Sequence, residues 1–484
     1  MYANRYINEK NMSKNFYITT TLPYVNAEPH VGHASEFVYA DVRARFERLL
    51  GNEVVFNTGT DEHGVKIWQK AQEEGKDVQE YVDEYAGKFD ELKNMLNLSY
   101  TNFIRTTDES HIEAAQEMWR RVDENGFIYK KKYSVKYCVG CELEKTDSDL
   151  VDGECPLHPG KELEIIDEEN YFFKFSEFQD RLLELYKDNP EFVVPKKRLN
   201  EISSFVEMGL QDFSISRLAD KMPWGVPVPG DESQVMYVWF DALTNYISTL
   251  GWPENTENFE KFWGTEETPN AIQIAGKDNL RQQSAMWQAM LLAADLPTSK
   301  QVFISGFIGV DGQKMSKSIG NVIAPSEMVE KYGVDGTRYL LLAKGNFGED
   351  NDISWEKLDA KYNADLANGL GNLTARIITL AGDIDYKEIT VDMMQLEDNI
   401  NTMSLNKSLE YIWRNVEDAN KYIEETKPWE LRKNDEEEFE KVMKKLLVDL
   451  HTISVLVESF LPETSEKIQN ALETRERVIL FERI

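Results

Sequence analysis

The sequence contains few cysteines and no long apolar run. Its three cysteines all lie between positions 138 and 155, a distribution that argues against a disulfide framework. No apolar stretch approaches the ~18 residues needed to cross a bilayer, and the first residues lack the hydrophobic segment of a secretory signal. We therefore expect a soluble, cytoplasmic protein with no membrane partner.

Basic residues are also scarce relative to acidic ones. The 54 lysines and arginines face 86 aspartates and glutamates, giving a formal net charge of −32. A surface that is basic throughout is thereby excluded, so any polyanionic partner must contact local patches. The lysines at 130–132 and the basic run at 196–198 are candidate patches, although such runs are more often simply solvated.

Strand and helix patterning, by contrast, is abundant. The length of 484 residues, 41% of them hydrophobic, predicts about two to four domains. Segment 16–22 is β-branched and aromatic, segment 34–50 has apolar residues at helical spacing, and segment 53–57 is again strand-like. This strand–helix–strand unit is typical of a parallel α/β sheet.

The same patterning returns later in the chain. It resumes at 235–239, 271–275 and 302–305, which predicts one sheet interrupted by an inserted module. Beyond about Lys361, apolar residues step by three or four, which predicts a C-terminal helix bundle.

The inserted module carries a metal-ligand pattern. Cys138 and Cys141 are separated by two residues, and thirteen residues later Cys155 and His158 repeat that spacing. Four such ligands favour a tetrahedral zinc ion, and a complete set leaves no open position, so the zinc is expected to be structural. The alternative, three buried thiols and a surface histidine, is less favoured because every cysteine of the chain falls in this one quartet.

Two distant pairs of side chains predict a phosphate site. His30 and His33 flank Gly32 where a strand should pass into a helix, and Lys314 and Lys317 follow a turn at 311–313. Each pair alone is a weak signal, since surface histidines and lysines are common. Together, imidazoles at a helix N-terminus and ammonium groups on a loop can hold a triphosphate and its leaving pyrophosphate. We interpret the chain as an ATP-using, adenylate-forming enzyme.

The HVGH sequence at 30–33 followed by KMSKS at 314–318 resembles the signature pair of class I aminoacyl-tRNA synthetases. Segments 17–24, 58–64 and 237–243 resemble the methionyl-tRNA synthetase family within that class. The resemblance implies an α/β fold: a Rossmann-type class I synthetase catalytic domain with a zinc-bearing insertion, followed by an all-α anticodon-binding bundle. The implied domains are an extension at 1–13, the first half of the catalytic domain at 14–117, the connective insertion at 118–230, the second catalytic half at 231–325, a linking segment that contacts the tRNA stem at 326–360, and the bundle at 361–484.

The resemblance also implies the reaction and its residues. Methionine would be activated with ATP to methionyl-adenylate, with Mg²⁺ accompanying ATP, and then transferred to tRNA(Met). The implied catalytic residues are His30, His33, Lys314 and Lys317. The implied ATP-binding residues are His30, Gly32, His33, Gly276, Asp278, Lys314 and Lys317. The implied methionine-binding residues are Leu22, Tyr24, Asp61, Trp239, Ala242, Tyr246, Gln283 and Trp287.

Several of these assignments have alternatives. The resemblance assigns the substrate ammonium to Asp61. Without the resemblance, the aromatic residues of the implied methionine pocket would be interpreted as ordinary core packing. Arg217 matches a position that holds adenylate groups in the family. In the bundle, Asn372, Arg376 and Trp429 match anticodon readers, although a tryptophan after Pro428 is equally typical of a helix start with a buried aromatic residue.

One departure from the family pattern lies in the methionine pocket. The family usually places an aromatic residue and a histidine where this chain has Gln282 and Gln283. Glutamine both donates and accepts hydrogen bonds but does not become cationic. We therefore expect a more polar and less pH-sensitive pocket.

Three other interpretations remain open at this point. Class I enzymes for valine, leucine or isoleucine generally carry a large editing domain, for which the 284 positions between the two signatures leave little room. The cysteine enzyme holds its substrate at a zinc ion with an open position, which a complete quartet denies. A non-catalytic tRNA-binding paralogue is the third. Because the bundle ends near Ile484 without an appended dimerisation domain, we expect a monomer.

Overall fold

The computed structural model describes residues 14–141, 143–145, 149–315 and 320–484. The expected extension at 1–13 lies outside the described residues. The strands are β1 (Asn15–Thr20), β2 (Glu53–Thr60), β3 (Asn102–Arg105), β4 (Ile128–Cys138), β5 (Leu143–Lys145), β6 (Glu164–Phe173), β7 (Val193–Val194), β8 (Phe213–Ser214), β9 (Ser216–Leu218), β10 (Pro227–Val228), β11 (Asp231–Met236), β12 (Ala271–Gly276), β13 (Gln301–Ser305), β14 (Ile308–Val310), β15 (Gln313–Lys314) and β16 (Asn351–Ile353).

Helices connect and cover these strands. They are α1 (Val31–Leu49), α2 (Val65–Glu73), α3 (Val78–Asp90), α4 (Leu92–Met95), α5 (Glu109–Glu124), α6 (Gln179–Asp188), α7 (Lys196–Glu207), α8 (Val238–Ala242), α9 (Asn245–Ser248), α10 (Thr256–Phe262), α11 (Trp287–Ala293), α12 (Pro325–Leu342), α13 (Trp355–Lys361), α14 (Asn372–Ala381), α15 (Met394–Asn401), α16 (Leu405–Thr426), α17 (Pro428–Asn434), α18 (Glu436–Val457) and α19 (Pro462–Thr474). Short 3₁₀ turns span Phe175–Phe178 and Lys277–Asn279, and π-helical segments span Gln282–Met286 and Tyr362–Gly371.

The predicted parallel sheet is present and has six strands. Their order is β3-β2-β1-β12-β13-β7, and all five pairings are parallel. The chain winds outward from β1 on one side and from β12 on the other. Ligands of open α/β sheets bind at such a switch point, in the crevice beyond the carboxyl ends of the two strands.

Helix α1 follows β1 and packs on this sheet through its apolar stripe. Phe37, Val38 and Phe46 are all at most 1% exposed. Leu50 and Gly51 end the helix, and Gly51 has a φ of 84°, the left-handed conformation that glycine adopts without strain. The N-terminus of α1 therefore points to the switch point, where the HVGH sequence begins the helix.

One predicted strand is wrong. Segment 235–239 was expected to join the main sheet, but β11 ends at Met236 and belongs to a three-stranded antiparallel sheet of order β10-β11-β9. Val238 and Phe240 instead lie in helix α8, at most 4% exposed. A short buried apolar run looks alike in a strand and in a helix, because burial on every side removes the periodicity that separates them.

The inserted module is built on a long hairpin. Strands β4 and β6 pair from Ile128 with Phe173 to Tyr137 with Glu164, and β5 and β8 flank them. The hairpin carries the cysteine-rich segment at its far end. One strand from the expected insertion range, β7, pairs with β13 at the edge of the main sheet, so the module and the catalytic sheet share an element.

The C-terminal helices pack against the catalytic part through Arg338 of α12. Its Nη2 lies 2.7 Å from Asp41 Oδ2 on α1, and its Nε donates to the Phe460 carbonyl at 2.9 Å. Arg338 and Asp41 are both 0% exposed. No helix among the described residues combines the length and apolar character needed to cross a membrane.

Candidate active site

A cavity of about 420 Å³ opens beyond the carboxyl ends of the main-sheet strands. Its wall includes residues that follow β1, β2, β12 and β13, together with the start of α1. Of the predicted site residues, those in the wall are Leu22, Tyr24, His30, Gly32, His33, Asp61, Trp239, Gly276 and Asp278. The structure thus brings together, from four separate parts of the chain, these residues that were predicted to bind ATP and methionine.

His30 and His33 are stacked at the N-terminus of α1. Their ring centroids lie 3.8 Å apart at an angle of 16°. His30 Nδ1 accepts from the Gly32 N–H at 3.1 Å, and His33 Nδ1 accepts from the His30 N–H at 3.3 Å. A Cβ on Gly32 would lie 2.7 Å from the His30 ring, so this packing requires glycine.

These contacts fix the chemistry of the two imidazoles. Because each Nδ1 accepts a backbone N–H, the ring proton of each neutral imidazole sits on Nε2, which can donate to a ligand. Burial, to which the electrostatic effect of the neighbouring His30 ring adds, holds the pKa of His33 well below its usual value. His33 is therefore a neutral donor at physiological pH rather than a cation.

Glu36 is a partly buried acid of this cavity that sequence reasoning missed. Its Oε1 accepts from the backbone N–H of Thr21 at 2.8 Å and from the Thr21 hydroxyl at 2.6 Å. Burial raises the pKa of Glu36 to about 8, opposed by the hydrogen bonds from Thr21 and reinforced by the Asp278 carboxylate. Glu36 lies three residues after His33 on one face of α1, and that spacing was the available signal.

Lys344 is a second cavity residue that sequence reasoning missed. Its Nζ donates to the Ser35 hydroxyl and to the Leu341 carbonyl, and it lies 4.8 Å from the centroid of the Tyr39 ring. Burial lowers the pKa of Lys344 to about 7. A lone lysine just after a helix carries no sequence signal, since most such lysines are solvated.

The second signature lies at the edge of the described residues. Lys314 belongs to β15, whose backbone pairs with β14 at Gly309, and Met315 lines the cavity. Lys317 lies outside the described residues, so its predicted role stays a prediction. The Nζ of Lys277, the residue before Asp278, donates to Asp350 Oδ1 at 2.7 Å.

The residues predicted to bind methionine divide into two groups. Leu22, Tyr24, Asp61 and Trp239 line the cavity. The others, Ala242, Tyr246, Gln283 and Trp287, lie behind that wall and are at most 5% exposed. Trp239 packs against the buried hydrophobic cluster that contains Tyr246 and Trp287.

Asp61 is positioned by the loop after β1. Its N–H donates to the Pro23 carbonyl at 2.9 Å, and its carbonyl accepts from the Val25 N–H at 3.1 Å. Nearby, His63 and His111 bind the two carboxylate oxygens of Asp241 at 2.7 and 2.9 Å. Burial opposes ionisation of Asp241, but the two histidines outweigh it and lower the pKa to about 2. The contact between His63 and Asp241 ties the loop after β2 to helix α8, which carries Trp239.

Arg217 was expected to hold adenylate groups, but it is not among the residues that line the cavity. Its Nη1 donates to the Ser214 hydroxyl and to the Ser216 carbonyl, both at 2.7 Å. Its guanidinium lies 5.2 Å from the Tyr137 ring and 4.8 Å from the Tyr237 ring. With 6% exposure, Arg217 is part of the buried junction between the insertion and the catalytic part.

The predicted metal quartet is assembled in the insertion. The ligand atoms of Cys138, Cys141, Cys155 and His158 all lie within 4.8 Å of one another. A Cβ on Gly140 would lie 2.5 Å from the His158 ring, so the turn between the first two cysteines requires glycine. The Gly140 carbonyl accepts from Lys66 Nζ at 2.9 Å, and both Cys141 and Lys66 line the cavity, so this cluster supports one wall of the site.

The predicted anticodon residues also lie together. Asn372 and Arg376 are one turn apart on α14, and the Arg376 guanidinium lies 5.7 Å from the Trp429 ring. Arg376 also contacts Glu424 at 2.7 Å. Trp429 is 37% exposed, which excludes the alternative of a buried aromatic residue at a helix start.

Comparisons with known proteins agree with this arrangement. The family model of class I tRNA synthetases (M) matches residues 16–162 and 157–378, and the anticodon-binding domain of methionyl tRNA ligase matches residues 380–480. Methionine–tRNA ligase of Caldanaerobacter subterraneus is 40% identical over 97% of this chain and 76% of its own length. The Brucella suis enzyme is 40% identical over 94% of this chain and 91% of its own length.

Solved structures give the same result. Methionyl-tRNA synthetase of Mycobacterium tuberculosis in complex with methionyl-adenylate has a TM-score of 0.88 and 37% identity, over 94% of this chain and 93% of that one. The apo form of that enzyme has a TM-score of 0.80 and 33% identity, over 96% and 92% of the two chains. Given the sheet, the cavity and these matches, the chain belongs to the methionyl-tRNA synthetase family of class I tRNA synthetases.

Proposed function

We propose that the protein is a methionine–tRNA ligase, which activates methionine with ATP to methionyl-adenylate and transfers it to tRNA(Met). The observation that carries the proposal is the convergence of the stacked histidines, Asp61 and Asp278 on one cavity at the sheet's switch point. In the first step a methionine carboxylate oxygen attacks the α-phosphorus of ATP, and pyrophosphate leaves. In the second step a terminal ribose hydroxyl of tRNA attacks the adenylate carbonyl, and AMP leaves.

The cavity residues have distinct proposed roles. The Nε2–H groups of His30 and His33 donate to phosphate oxygens, where charge develops in the transition state. Gly32 and Gly276 let the nucleotide approach the backbone. Lys314 and Lys317 are proposed to neutralise the leaving pyrophosphate with Mg²⁺, as phosphoryl transfer requires.

Acidic residues are proposed to hold the remaining substrate groups. Asp61 binds the methionine ammonium, and Glu36 with Asp278 accepts hydrogen bonds from ribose hydroxyls. Protonated Glu36 can also donate one hydrogen bond. The buried group behind Trp239 is proposed to receive the methionine side chain, since a thioether suits an aromatic, polarizable surrounding. Entry then requires Trp239 to move, and its indole Nε1 is buried without a hydrogen-bond partner among the described residues.

The quartet in the insertion is proposed to hold one structural zinc ion. A tetrahedral ion with Zn–S near 2.3 Å and Zn–N near 2.0 Å separates its ligand atoms by roughly 3.5 to 3.8 Å. The contacts from His158 Nδ1 to the three sulfurs are 3.8, 3.2 and 4.0 Å, and Cys141 Sγ lies 3.4 Å from Cys155 Sγ. The residues fit the ion, which would cross-link the two turns and keep Lys66 in place, whose Nζ lies 5.5 Å from the centroid of the Tyr24 ring.

The bundle is proposed to read the anticodon of tRNA(Met). Trp429 offers an exposed stacking surface, and Asn372 and Arg376 offer donors to base edges beside it. The three cysteines are free thiols gathered in one quartet, which supports a reducing, cytoplasmic location. A monomer remains our expectation for the oligomeric state.

Methionine-dependent isotope exchange between pyrophosphate and ATP tests the proposal. Exchange should require methionine and should not occur with valine, leucine, isoleucine or cysteine. Exchange with another amino acid would assign a different class I specificity. Absence of exchange with all of them, in protein that binds tRNA, would identify a non-catalytic tRNA-binding protein instead.

A further inference from the structure

Two adjacent carboxylates follow β2, and only one of them faces the cavity. Asp61 lines the cavity and continues the strand pairing through a parallel bridge to Tyr24. Glu62 is 0% exposed and is not among the described residues of the cavity wall. Successive side chains of an extended chain point in opposite directions, so a slip of this segment by one residue would exchange the two acids. The fold must therefore hold the segment in one register.

Four donated hydrogen bonds hold the Glu62 carboxylate away from the cavity. Its Oε1 accepts from the Thr60 hydroxyl at 2.5 Å and from Arg105 Nε at 2.7 Å. Its Oε2 accepts from the Thr107 hydroxyl at 2.6 Å and from Arg105 Nη2 at 2.9 Å. The arginine thus binds both oxygens through its planar fork, a geometry that fixes the direction of the carboxylate as well as its distance.

The backbone of Glu62 is held as well. Its N–H donates to the Thr106 hydroxyl at 2.9 Å, and its carbonyl accepts from the Trp224 indole Nε1 at 2.6 Å. The Trp224 carbonyl in turn accepts from the Gly64 N–H at 3.2 Å. Position 62 is thus fixed by the turn after β3 on one side and by the last part of the insertion on the other. Because Asp61 is the preceding residue, these contacts also limit the movement of its carboxylate.

Arg105 is itself rigidly placed. It is the last residue of β3 and lies directly opposite Thr60 in the parallel pairing of β2 and β3. Its backbone N–H donates to Asp108 Oδ2 at 2.9 Å. The two strands approach so closely that a Cβ on Gly59 would lie 1.7 Å from the Ile104 carbonyl oxygen. The strand spacing beneath the Arg105–Glu62 pair therefore requires glycine and leaves the pair little freedom.

We propose that Arg105 and Glu62 are positioning residues that hold Asp61 in register to bind the α-ammonium group of the substrate. They act through the backbone, since neither is among the described residues that line the cavity. Arg105 also neutralises Glu62, so the negative charge that faces the cavity at the end of β2 is that of Asp61. This inference rests on the proposed function and deepens it, because it names the contacts that select which of two adjacent acids meets the substrate.

The test isolates the contribution of the ammonium group to binding. Methioninol and its analogue without the amino group differ only in that group, and both can compete with methionine in pyrophosphate exchange. Their inhibition constants would be measured in the wild type, in Arg105→Met and in Glu62→Gln. In both variants the constant for methioninol should rise about 10-fold, as expected for a weakened charge-assisted hydrogen bond, and the constant for the analogue should change less than about 2-fold. The KM for ATP should stay unchanged.

The matched control is Asp83→Asn. Asp83 on α3 accepts from the same Arg105 Nη2 at 2.6 Å, but its side chain is 52% exposed. Its replacement leaves the contacts between Arg105 and Glu62 intact, so both inhibition constants should equal those of the wild type. Arg105→Lys should give an intermediate constant for methioninol, because lysine keeps the positive charge and loses the planar fork.

The double variant shows whether Arg105 and Glu62 act as a unit. Combining Arg105→Met with Glu62→Gln should raise the constant for methioninol no further than either single change, because both remove the same interaction. A rise equal to the product of the single effects, equal rises for the two inhibitors, or unchanged constants in both single variants would overturn the inference. Failure of the proposed function is a separate result, because the wild type itself would then show no methionine-dependent exchange.

Discussion

Replacing Glu36 with glutamine should stabilise the protein at alkaline pH and hardly at all at acidic pH. The glutamine has the same shape, and its oxygen can accept both hydrogen bonds from Thr21, which lie at 2.8 and 2.6 Å. What it removes is the buried negative charge. The variant therefore isolates the free-energy cost of ionising Glu36 inside the cavity.

The sign follows from the raised pKa. Between pH 4.5, where the unfolded carboxyl titrates, and about pH 8, where folded Glu36 titrates, the folded state binds the additional proton. The free energy of unfolding of the wild type therefore falls as the pH rises through this window. Glutamine has no such proton, so the difference between the two proteins grows across the same window.

The magnitude can be bounded from the same values. At about 1.4 kcal/mol per pH unit, the full penalty above pH 8 would be about 5 kcal/mol. Because Glu36 lines an open cavity, solvent reduces the free-energy cost of its ionisation, and we expect about half of the full penalty. Glu36→Gln should thus raise the free energy of unfolding by about 2 kcal/mol at pH 8.5 and by only a few tenths at pH 5.

Urea unfolding followed by tryptophan fluorescence at both pH values measures the difference. Glu113→Gln, an exposed acid on α5, is the matched control and should change little at either pH. An equal gain for Glu36→Gln at pH 5 and pH 8.5 would show that packing and not ionisation is responsible. A loss at pH 8.5 would refute the buried-charge argument directly.

Four further outcomes follow from the same structure. Lys344→Met should show the opposite pH dependence: it should raise the free energy of unfolding by about 2 kcal/mol below pH 7 and by little near pH 10, as measured by urea unfolding. Below pH 7 the wild type is penalised because folding must remove the proton of a lysine whose pKa is lowered to about 7. Cys155→Ser should reduce bound zinc below one equivalent in metal analysis and lower methionine-dependent exchange. Trp429→Ala should lower kcat/KM for tRNA charging by one to two orders of magnitude, from a lost stacking contact of ~1–3 kcal/mol, and spare exchange. ATP binding near pH 7.5 should take up protons, which calorimetry in two buffers of different ionisation enthalpy would detect.

The features that the sequence predicted well are those with local spacing. The quartet from Cys138 to His158 is determined by two short turns, and the HVGH sequence by one strand-to-helix transition. The parallel sheet followed from repeated strand-and-helix periodicity. Such features need only near neighbours along the chain to form, so their signals survive without knowledge of the tertiary fold.

The features that escaped prediction depend on contacts between distant segments. Glu36 has a raised pKa because the fold removes it from solvent and brings the Asp278 carboxylate near it. Lys344 faces the cavity because α12 returns its C-terminus to α1. Burial on all sides also converted segment 235–239 from an expected strand into the end of β11 and helix α8. In each case the deciding neighbour is far away in sequence, and periodicity carries no record of it.

The two displaced pKa values together favour an anionic ligand in this cavity. Near pH 7.5, Glu36 is mostly protonated and Lys344 mostly neutral, so both groups contribute little charge to the empty site. A bound triphosphate raises the pKa of every nearby group, because negative charge favours the protonated form. Lys344 would then become an ammonium ion, and Glu36 would keep its proton and not repel the phosphates. ATP binding should therefore take up protons, and Lys344→Met should remove the larger part of this uptake and leave the smaller part that belongs to Glu36. Equal uptake by the variant and the wild type would contradict this account.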